Sequence, residues 1–282
     1  MARPQGCSNR GYALLAVLWI AVGVGGLSIL ISEAARTAIA SSRNRIALAA
    51  AGWRAGGCLA RARARLTDQL QQEAATRTDV MLKTWDRVDR VLNAGPSEPD
   101  CTLAAHPVGA RLDVNASDAA TLAHLFRNVG IKPARADSMA SAVVAHKPYV
   151  DVRELHLVPG LGSVALLDSV LDVEPGPIVL DQASAPVLAL LPGFTDQTVQ
   201  RVLEARARET PISSFHELSQ LLPRDSAVAS ARLPAVAVFQ PAAWMVIARA
   251  TAGRPAVTSA VEVRVGRAGS ATSIGRQRSW TE

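Results

Sequence analysis

Aromatic side chains are scarce in this chain of 282 residues, and so are the residue patterns of enzymes. Aromatic residues make up 4% of the chain and apolar residues 49%, with many alanines and leucines. That composition favours helix over sheet. The chain has no GxSxG sequence, P-loop or paired carboxylates, and its five histidines lack metal-ligand spacing. We therefore expect a protein that is not an enzyme.

Charge is absent from the 22 residues Gly11–Ser32, which Arg10 precedes and Glu33 follows. A helix of that length spans the hydrocarbon layer of about 30 Å. Arg3 and Arg10 place the N-terminus in the cytoplasm and the rest of the chain outside. A secretory signal cut after Ala34 stays open as an alternative, although its apolar core is usually about 7–15 residues.

An acidic excess is confined to the middle of the chain. Residues 1–100 carry 13 basic and 8 acidic side chains, residues 101–235 carry 11 and 14, and residues 236–282 carry 6 and 2. The net charge of +6 therefore does not describe the middle of the protein. This uneven distribution argues against nucleic-acid binding that relies on overall charge.

A helical pattern continues beyond the apolar run without proline to about Gln72. Apolar residues recur there at steps of six and seven residues with one step of four, at Ile39, Ile46, Trp53, Leu59, Leu66 and Leu70. This pattern predicts an apolar stripe on one long helix that begins in the membrane and projects from it.

Two segments, from Arg111 and from Ile178, read as degenerate copies of one unit with a spacing of about 63 residues. Val158–Gly162 and Leu191–Phe194 predict the tight turns of helix-hairpin-helix units. Such units often bind DNA, but residues 153–200 contain one basic residue and six acidic ones. A membrane-anchored DNA-binding protein of the competence type remains the alternative function.

The C-terminal part reads as three strands, at about 244–251, 257–265 and 271–280. Three strands cannot fold alone and need a helix to pack against. The long N-terminal helix is the natural partner.

A basic leader ending at Gly11 before an apolar helix resembles type IV pilin-like subunits. The order of the motifs LDVNAS, ELHLVPGLG, LDVEPGPIVLDQASAPVLALLPGF and SFHELSQLL resembles the type II secretion protein K family, which are minor pseudopilins. The resemblance implies an α+β fold. A long pilin-like helix packs on a small antiparallel sheet, with an inserted all-helical domain of two helix-hairpin-helix-like repeats. The implied parts are a leader 1–11, a helix region 12–95, a linker 96–110, the insert 111–235 and the strands 236–282.

The resemblance also implies a function without catalysis, at the tip of the secretion pseudopilus. The implied partners are the I and J minor pseudopilins, the prepilin peptidase and the inner-membrane secretion machinery. The chain would lie in the inner membrane, with its C-terminal part in the periplasm and its mature N-terminus methylated. Most relatives carry a Glu five residues into the mature chain, where this chain has Ala16. In a subunit with no other subunit ahead of it, that Glu would have no amine to pair with. An unpaired carboxylate in an apolar bundle is costly, so its absence suits such a subunit.

Metal and disulfide chemistry stay undecided at this level. Asp113, Asn115 and Ser117 resemble the start of a calcium loop, but Asp118 and His124 replace its Gly and Glu, so a turn and helix cap are expected instead. Some relatives bind calcium, but we expect no cofactor because no ligand set carries over. Cys7 falls in the leader. A Cys58–Cys101 disulfide requires the long helix to end near residue 72.

We predict cleavage between Gly11 and Tyr12, with the apolar helix retained. Gly11 is small enough for the cut site, so Gly11→Arg should leave the chain uncut. Intact-mass measurement of the purified chain checks this, and a mature chain that begins at Ala35 would instead establish a secretory signal.

Overall fold

A computed structural model describes residues 10–76, 83–93, 101–161, 167–208, 210, 212–223, 226–254 and 256–281. The helices in these residues are α1 Arg10–Thr76, α2 Lys83–Asp86, α3 Val88–Asn93, α4 Ala119–Asn128, α5 Pro133–Ala145, α6 Ala185–Leu188, α7 Asp196–Ala207, α8 Phe215–Leu221, α9 Ala227–Ser230 and α10 Leu233–Val236. The strands are β1 Cys101–Pro107, β2 Leu112–Asp113, β3 Leu171–Asp172, β4 Ile178–Val179, β5 Ala237–Val238, β6 Ala243–Ala252, β7 Val257–Ala268 and β8 Ala271–Thr281. Two short 3-10 helices are Val152–Leu157 and Leu167–Ser169.

Helix α1 has 67 residues, which corresponds to a length of about 100 Å. Its first half is exposed on every side, whereas from Ala47 onwards one face is buried against a sheet. The expectation of one long N-terminal helix is confirmed. The chain after it turns back, so that α3 and β1 lie beside the sheet-packed half.

The sheet has four antiparallel strands in the order β1-β6-β7-β8. The three strands predicted near the C-terminus are β6, β7 and β8. Residues 96–110 were expected to be a linker, whereas Cys101–Pro107 forms the edge strand β1 and pairs with β6. That pairing joins segments more than 130 residues apart in the chain, so no local signal announces it.

One core lies between α1 and the sheet. Leu59, Leu66 and Leu70 of α1 are buried with alternate residues of β6 and β7, among them Val261 and Val263. Because strand side chains alternate between faces, the polar residues of β7 point to the other side of the sheet. That opposite face receives the insert.

The indole groups of Trp85 and Trp244 belong to this core and donate hydrogen bonds to backbone carbonyls. The Trp85 Nε1–H donates to the Pro241 carbonyl at 2.7 Å, and the Trp244 Nε1–H donates to the Trp85 carbonyl at 2.9 Å. Both side chains are 1% exposed, so each buried N–H has the partner that it needs.

Cys58 of α1 and Cys101 of β1 form a disulfide, with their Cα atoms 6.5 Å apart. Because α1 ends at Thr76, the chain has room to return to Cys58 within the 43 residues that separate the two cysteines. The bridge therefore joins the helix to the edge of the sheet.

The insert lies between β1 and β6 and consists of two copies of one unit. In each copy a short strand is followed by helices and then by a second strand, which pairs with the first in parallel. Leu112 pairs with Leu171 in the first copy and Ile178 with Ala237 in the second, and both partners are displaced by 66 residues between copies. The α+β fold class, with its helical insert, is confirmed.

The hairpin of the first copy lies elsewhere than predicted. In the second copy Leu191–Phe194 joins α6 to α7, and Gly193 has a φ of 78°. Its counterpart 63 residues earlier is Gly130, with a φ of 91°, in the turn between α4 and α5. Val158–Leu161 instead follows the 3-10 helix Val152–Leu157, and Gly162 lies outside the described residues. The Pro159-Gly160 sequence suggested a hairpin at this place, but glycine also follows the end of short helices.

The disulfide should contribute about 2–4 kcal/mol to the stability of the helix–sheet unit, since it restricts the unfolded chain. Cys58→Ser and Cys101→Ser should lose that amount in denaturant unfolding of the full-length chain in detergent. Cys7→Ser is the matched control, measured like the other variants in the uncut chain, and should leave the free energy of unfolding unchanged. Equal stability of all three variants would contradict a structural role for the bridge.

Candidate functional site

The N-terminal half of α1 has the properties of a membrane-spanning segment. Within the described residues this is the helix that is long and apolar enough to cross a membrane, judged by length and composition. Its large apolar side chains from Leu14 to Ile31 are all exposed. The hydroxyl groups of Ser28 and Ser32 are satisfied inside the helix, since Ser28 Oγ donates to Val24 O and Ser32 Oγ donates to Ser28 O, each at 2.8 Å. In lipid, a polar group needs such an internal partner.

Gly11, Tyr12 and Ala16 all lie in the first turns of α1. Tyr12 is 83% exposed, and Ala16, one turn further on, is also exposed. Residues 1–9 of the leader lie outside the described residues. Cleavage between Gly11 and Tyr12 stays a prediction.

The apolar stripe predicted along α1 divides into two faces. Trp53 is 82% exposed and Leu66 is 1% exposed, although the sequence placed them in one stripe. At about 100° per residue a step of seven residues falls close to two full turns, whereas a step of six falls about 120° short. The step of six from Trp53 to Leu59 therefore moves the stripe from the exposed face to the sheet.

We call the exposed part the α1 seam, which comprises Ile39, Ile46, Ala49, Trp53, Ala60 and Ala64. Three of its members recur every seven residues and the others are small. A face that combines large residues at heptad spacing with small neighbours suits close packing against a second helix. The covered members of the predicted stripe, Leu59, Leu66 and Leu70, have no room for a partner because the sheet lies against them.

The insert is held to the sheet by a buried carboxylate that sequence reasoning missed. Glu174 lies between the two copies, is 4% exposed and faces three guanidinium groups from the sheet. Arg264 Nη1 lies 3.2 Å and Arg276 Nη1 3.9 Å from its carboxylate, and Arg278 Nη2 also pairs with it. The only sequence signal was the alternation of charged with apolar residues along β7 and β8, which does not identify a partner.

A second polar contact lies beside it. His106 Nε2 of β1 is 3.5 Å from the Asp172 carboxylate of β3. Burial works to raise the pKa of Asp172, but His106, the Val173 N–H and Arg111 together outweigh it, so that the pKa is lowered. Burial raises the pKa of Glu262, which Arg278 offsets in part. The junction between insert and sheet is therefore polar and closely paired.

The residues Asp113–Ser117 form a turn, as expected. Asp113 Oδ1 accepts the Asn115 N–H at 2.8 Å, and Ser117 Oγ donates to the Asp113 carbonyl at 2.6 Å. The helix cap is Asp118, which accepts the Thr121 N–H, while Asn115 binds the backbone of Tyr149. Among the described residues no three His, Cys, Asp or Glu side chains form a group that could hold a metal.

The hairpins at Gly130 and Gly193 differ in their surroundings. A Cβ at Gly193 would lie 3.0 Å from the Ala229 Cβ and 3.2 Å from the Ser226 Cβ, so the chain itself covers this hairpin. A Cβ at Gly130 would meet nothing within 4 Å. Lys132 and Arg135 beside Gly130 are exposed. The first hairpin is therefore more accessible, and more basic, than the sequence predicted.

A long helix packed on an antiparallel sheet, with an exposed apolar first half, defines a pilin-like fold. The large insert between β1 and β6 distinguishes this chain from a simple form of that fold.

The chain is similar in structure to a chain of the crystal structure of the GspK-GspI-GspJ complex from the enterotoxigenic Escherichia coli type 2 secretion system. The TM-score is 0.59 at 14% sequence identity, and the match covers 85% of this chain and 99% of that chain. No protein-family profile and no curated protein matches the sequence. At this identity the likeness establishes the fold, insert included.

Glu174→Ala should destabilise the full-length chain by about 3 kcal/mol, because it leaves three arginines around a buried gap without their partner. The loss is measured by denaturant unfolding in detergent, followed by the fluorescence of the buried Trp85 and Trp244. Glu204→Ala is the matched control: Glu204 forms an exposed pair with Arg208 at 3.6 Å, and its loss should cost less than about 0.5 kcal/mol. An equal loss of unfolding free energy in the two variants would show that the Glu174 cluster does not hold the insert.

Proposed function

We propose that this chain is a non-enzymatic minor pseudopilin at the tip of a type II secretion pseudopilus. It helps to initiate or cap the fibre during export of folded proteins across the outer membrane. The observation that carries the proposal is the likeness over nearly the whole length, insert included, to a chain of a complex of three secretion subunits.

The proposed anchor is the first half of α1, which crosses the inner membrane once and leaves the sheet and insert in the periplasm. The prepilin peptidase removes the leader after Gly11, and the mature chain begins at Tyr12 and is methylated there. The inner-membrane secretion machinery then incorporates the subunit.

Ala16 supports the tip position. Without a carboxylate there, this subunit cannot neutralise the amine of a subunit ahead of it, but its own amine at Tyr12 remains available to a Glu of the subunit behind. The insert argues the same way, because its two copies would obstruct the stacking of identical subunits. One copy per complex with the I and J minor pseudopilins follows from both arguments.

The α1 seam is the proposed contact with those subunits. The apolar stripe predicted from the sequence extends from Ile39 to Leu70. Because the sheet covers Leu59, Leu66 and Leu70, only the seam around Ile39, Ile46 and Trp53 is left for a neighbouring helix.

A membrane-anchored helix-hairpin-helix protein that binds DNA remains the second candidate. The observation that favours it is the open hairpin at Gly130, with exposed Lys132 and Arg135 at the start of α5. Backbone N–H groups and nearby cations at such a hairpin suit phosphate. The covered hairpin at Gly193 and the acidic excess of the insert count against it.

The insert should be required for secretion but not for folding of the pilin-like part. The Val108 N–H donates to the Ala243 carbonyl at 2.9 Å, so the end of β1 lies beside the start of β6. Replacing residues 109–240 with Asn-Gly therefore joins the two strands through a four-residue loop, Asn-Gly-Pro241-Ala242, and keeps the Pro241 carbonyl. This variant should still insert into the membrane and form its disulfide, yet it should lose most secretion in cells.

The control is Lys132→Glu with Arg135→Glu, which leaves the insert in place. It should secrete like the original chain and should show, like that chain, no salt-sensitive binding to duplex DNA. DNA binding that this double variant abolishes would favour the second candidate. Crosslinking that places the chain at regular intervals along the fibre would contradict the tip position.

A further inference from the structure

Positive charge without any acidic residue extends along α1 from Ala34 to Thr67. This stretch contains seven arginines: Arg36, Arg43, Arg45, Arg54, Arg61, Arg63 and Arg65. A helix of this kind repels a partner of the same charge and attracts one that carries carboxylates. The partner of the α1 seam is therefore constrained in charge as well as in shape.

Three arginines converge at one concave place beside the seam. A cavity of about 310 Å³ lies between α1 and the turn from β6 to β7. Its walls are the side chains of Arg43, Arg54 and Arg254 with small or apolar residues, and no carboxylate lines it. Arg54 Nη1 donates to the Thr251 carbonyl at 2.9 Å, which attaches the end of β6 to the helix. Among the described residues neither Arg43 nor Arg254 forms an ion pair.

Ile46 belongs both to this cavity and to the α1 seam. A ligand that occupies both places must therefore be apolar along one side and anionic beside it. A cavity of this volume takes one or two side chains, not a folded domain. An amphipathic helix with a carboxylate next to its apolar stripe has these properties.

We propose that the Arg43–Arg54–Arg254 cavity binds a Glu or Asp side chain of a partner subunit's helix lying on the α1 seam. The proposal rests on the proposed function, since it specifies the chemistry of the minor pseudopilin that binds here. Arginine suits this role because its planar guanidinium group pairs with a carboxylate through two parallel hydrogen bonds.

Phosphate groups of membrane lipids are a less suitable ligand for the arginines of the cavity. Arg43 follows Ser32 by 11 residues, or about 16 Å along the helix. The headgroup layer extends only about 5–8 Å beyond the hydrocarbon, so Arg43 of a helix that runs along the membrane normal lies outside it. Lipid headgroups therefore reach Arg36 but not the cavity.

The test measures binding of the full-length chain to full-length I and J subunits of the same secretion system in neutral detergent at 50 and 300 mM NaCl. Arg254→Glu should weaken binding about tenfold at 50 mM NaCl and reduce its salt dependence. Trp53→Ala should weaken binding equally at both salt concentrations. Arg135→Glu on the insert is the charge-matched control. It should change neither the affinity for the partner subunits nor the salt dependence of binding. Replacing the responsible partner carboxylate with Arg should restore binding to the Arg254→Glu chain.

The results distinguish a failure of the carboxylate site from a failure of the proposed function. If Trp53→Ala disrupts the complex but Arg254→Glu binds as the original chain does, the carboxylate site is wrong and the proposed function stands. If Arg254→Glu matters only in nanodiscs with phosphatidylglycerol and not in neutral detergent, the cavity serves lipid and the proposal is overturned. If the original chain forms no complex with these subunits, the proposed function itself fails.

Discussion

Burial of one face of α1 against the sheet is the interaction on which the rest of this structure depends. A small antiparallel sheet is not stable alone, and Leu59, Leu66 and Leu70 would be exposed on an isolated helix. Each element covers the apolar surface of the other. The Cys58–Cys101 bridge lies in the same contact, so a covalent constraint and this core coincide.

The two faces of the sheet then determine where the other parts lie. Val261, Val263 and Val265 of β7 face α1, while Glu262 and Arg264 face the insert. The insert is therefore attached through charge and not through a shared apolar core. A displaced insert would leave the buried Glu174 without its arginines, which is costly, so the cluster favours one position.

The same helix carries three different surfaces along its length. Its first part is apolar on all sides and suits lipid, and its last part is core on one face. Between them the exposed seam and the arginines form a surface that neither lipid nor the sheet covers. In the proposed function this middle part is where one subunit meets another, so anchoring, assembly and folding follow one another along a single element.

Features that depend on local periodicity could be predicted from the amino-acid sequence alone. An uncharged run of membrane length, the heptad steps, the alternation of β7 and the 63-residue repeat predict the helix, the strands and the duplicated insert. Which face of α1 is covered became clear from the packing against the sheet, because a one-residue change in step rotates a side chain to another face. The edge strand β1, the Glu174 cluster and the Arg254 cavity likewise join residues far apart in the chain. Pairing of that kind leaves no local pattern, since its stability comes from partners that folding alone brings together.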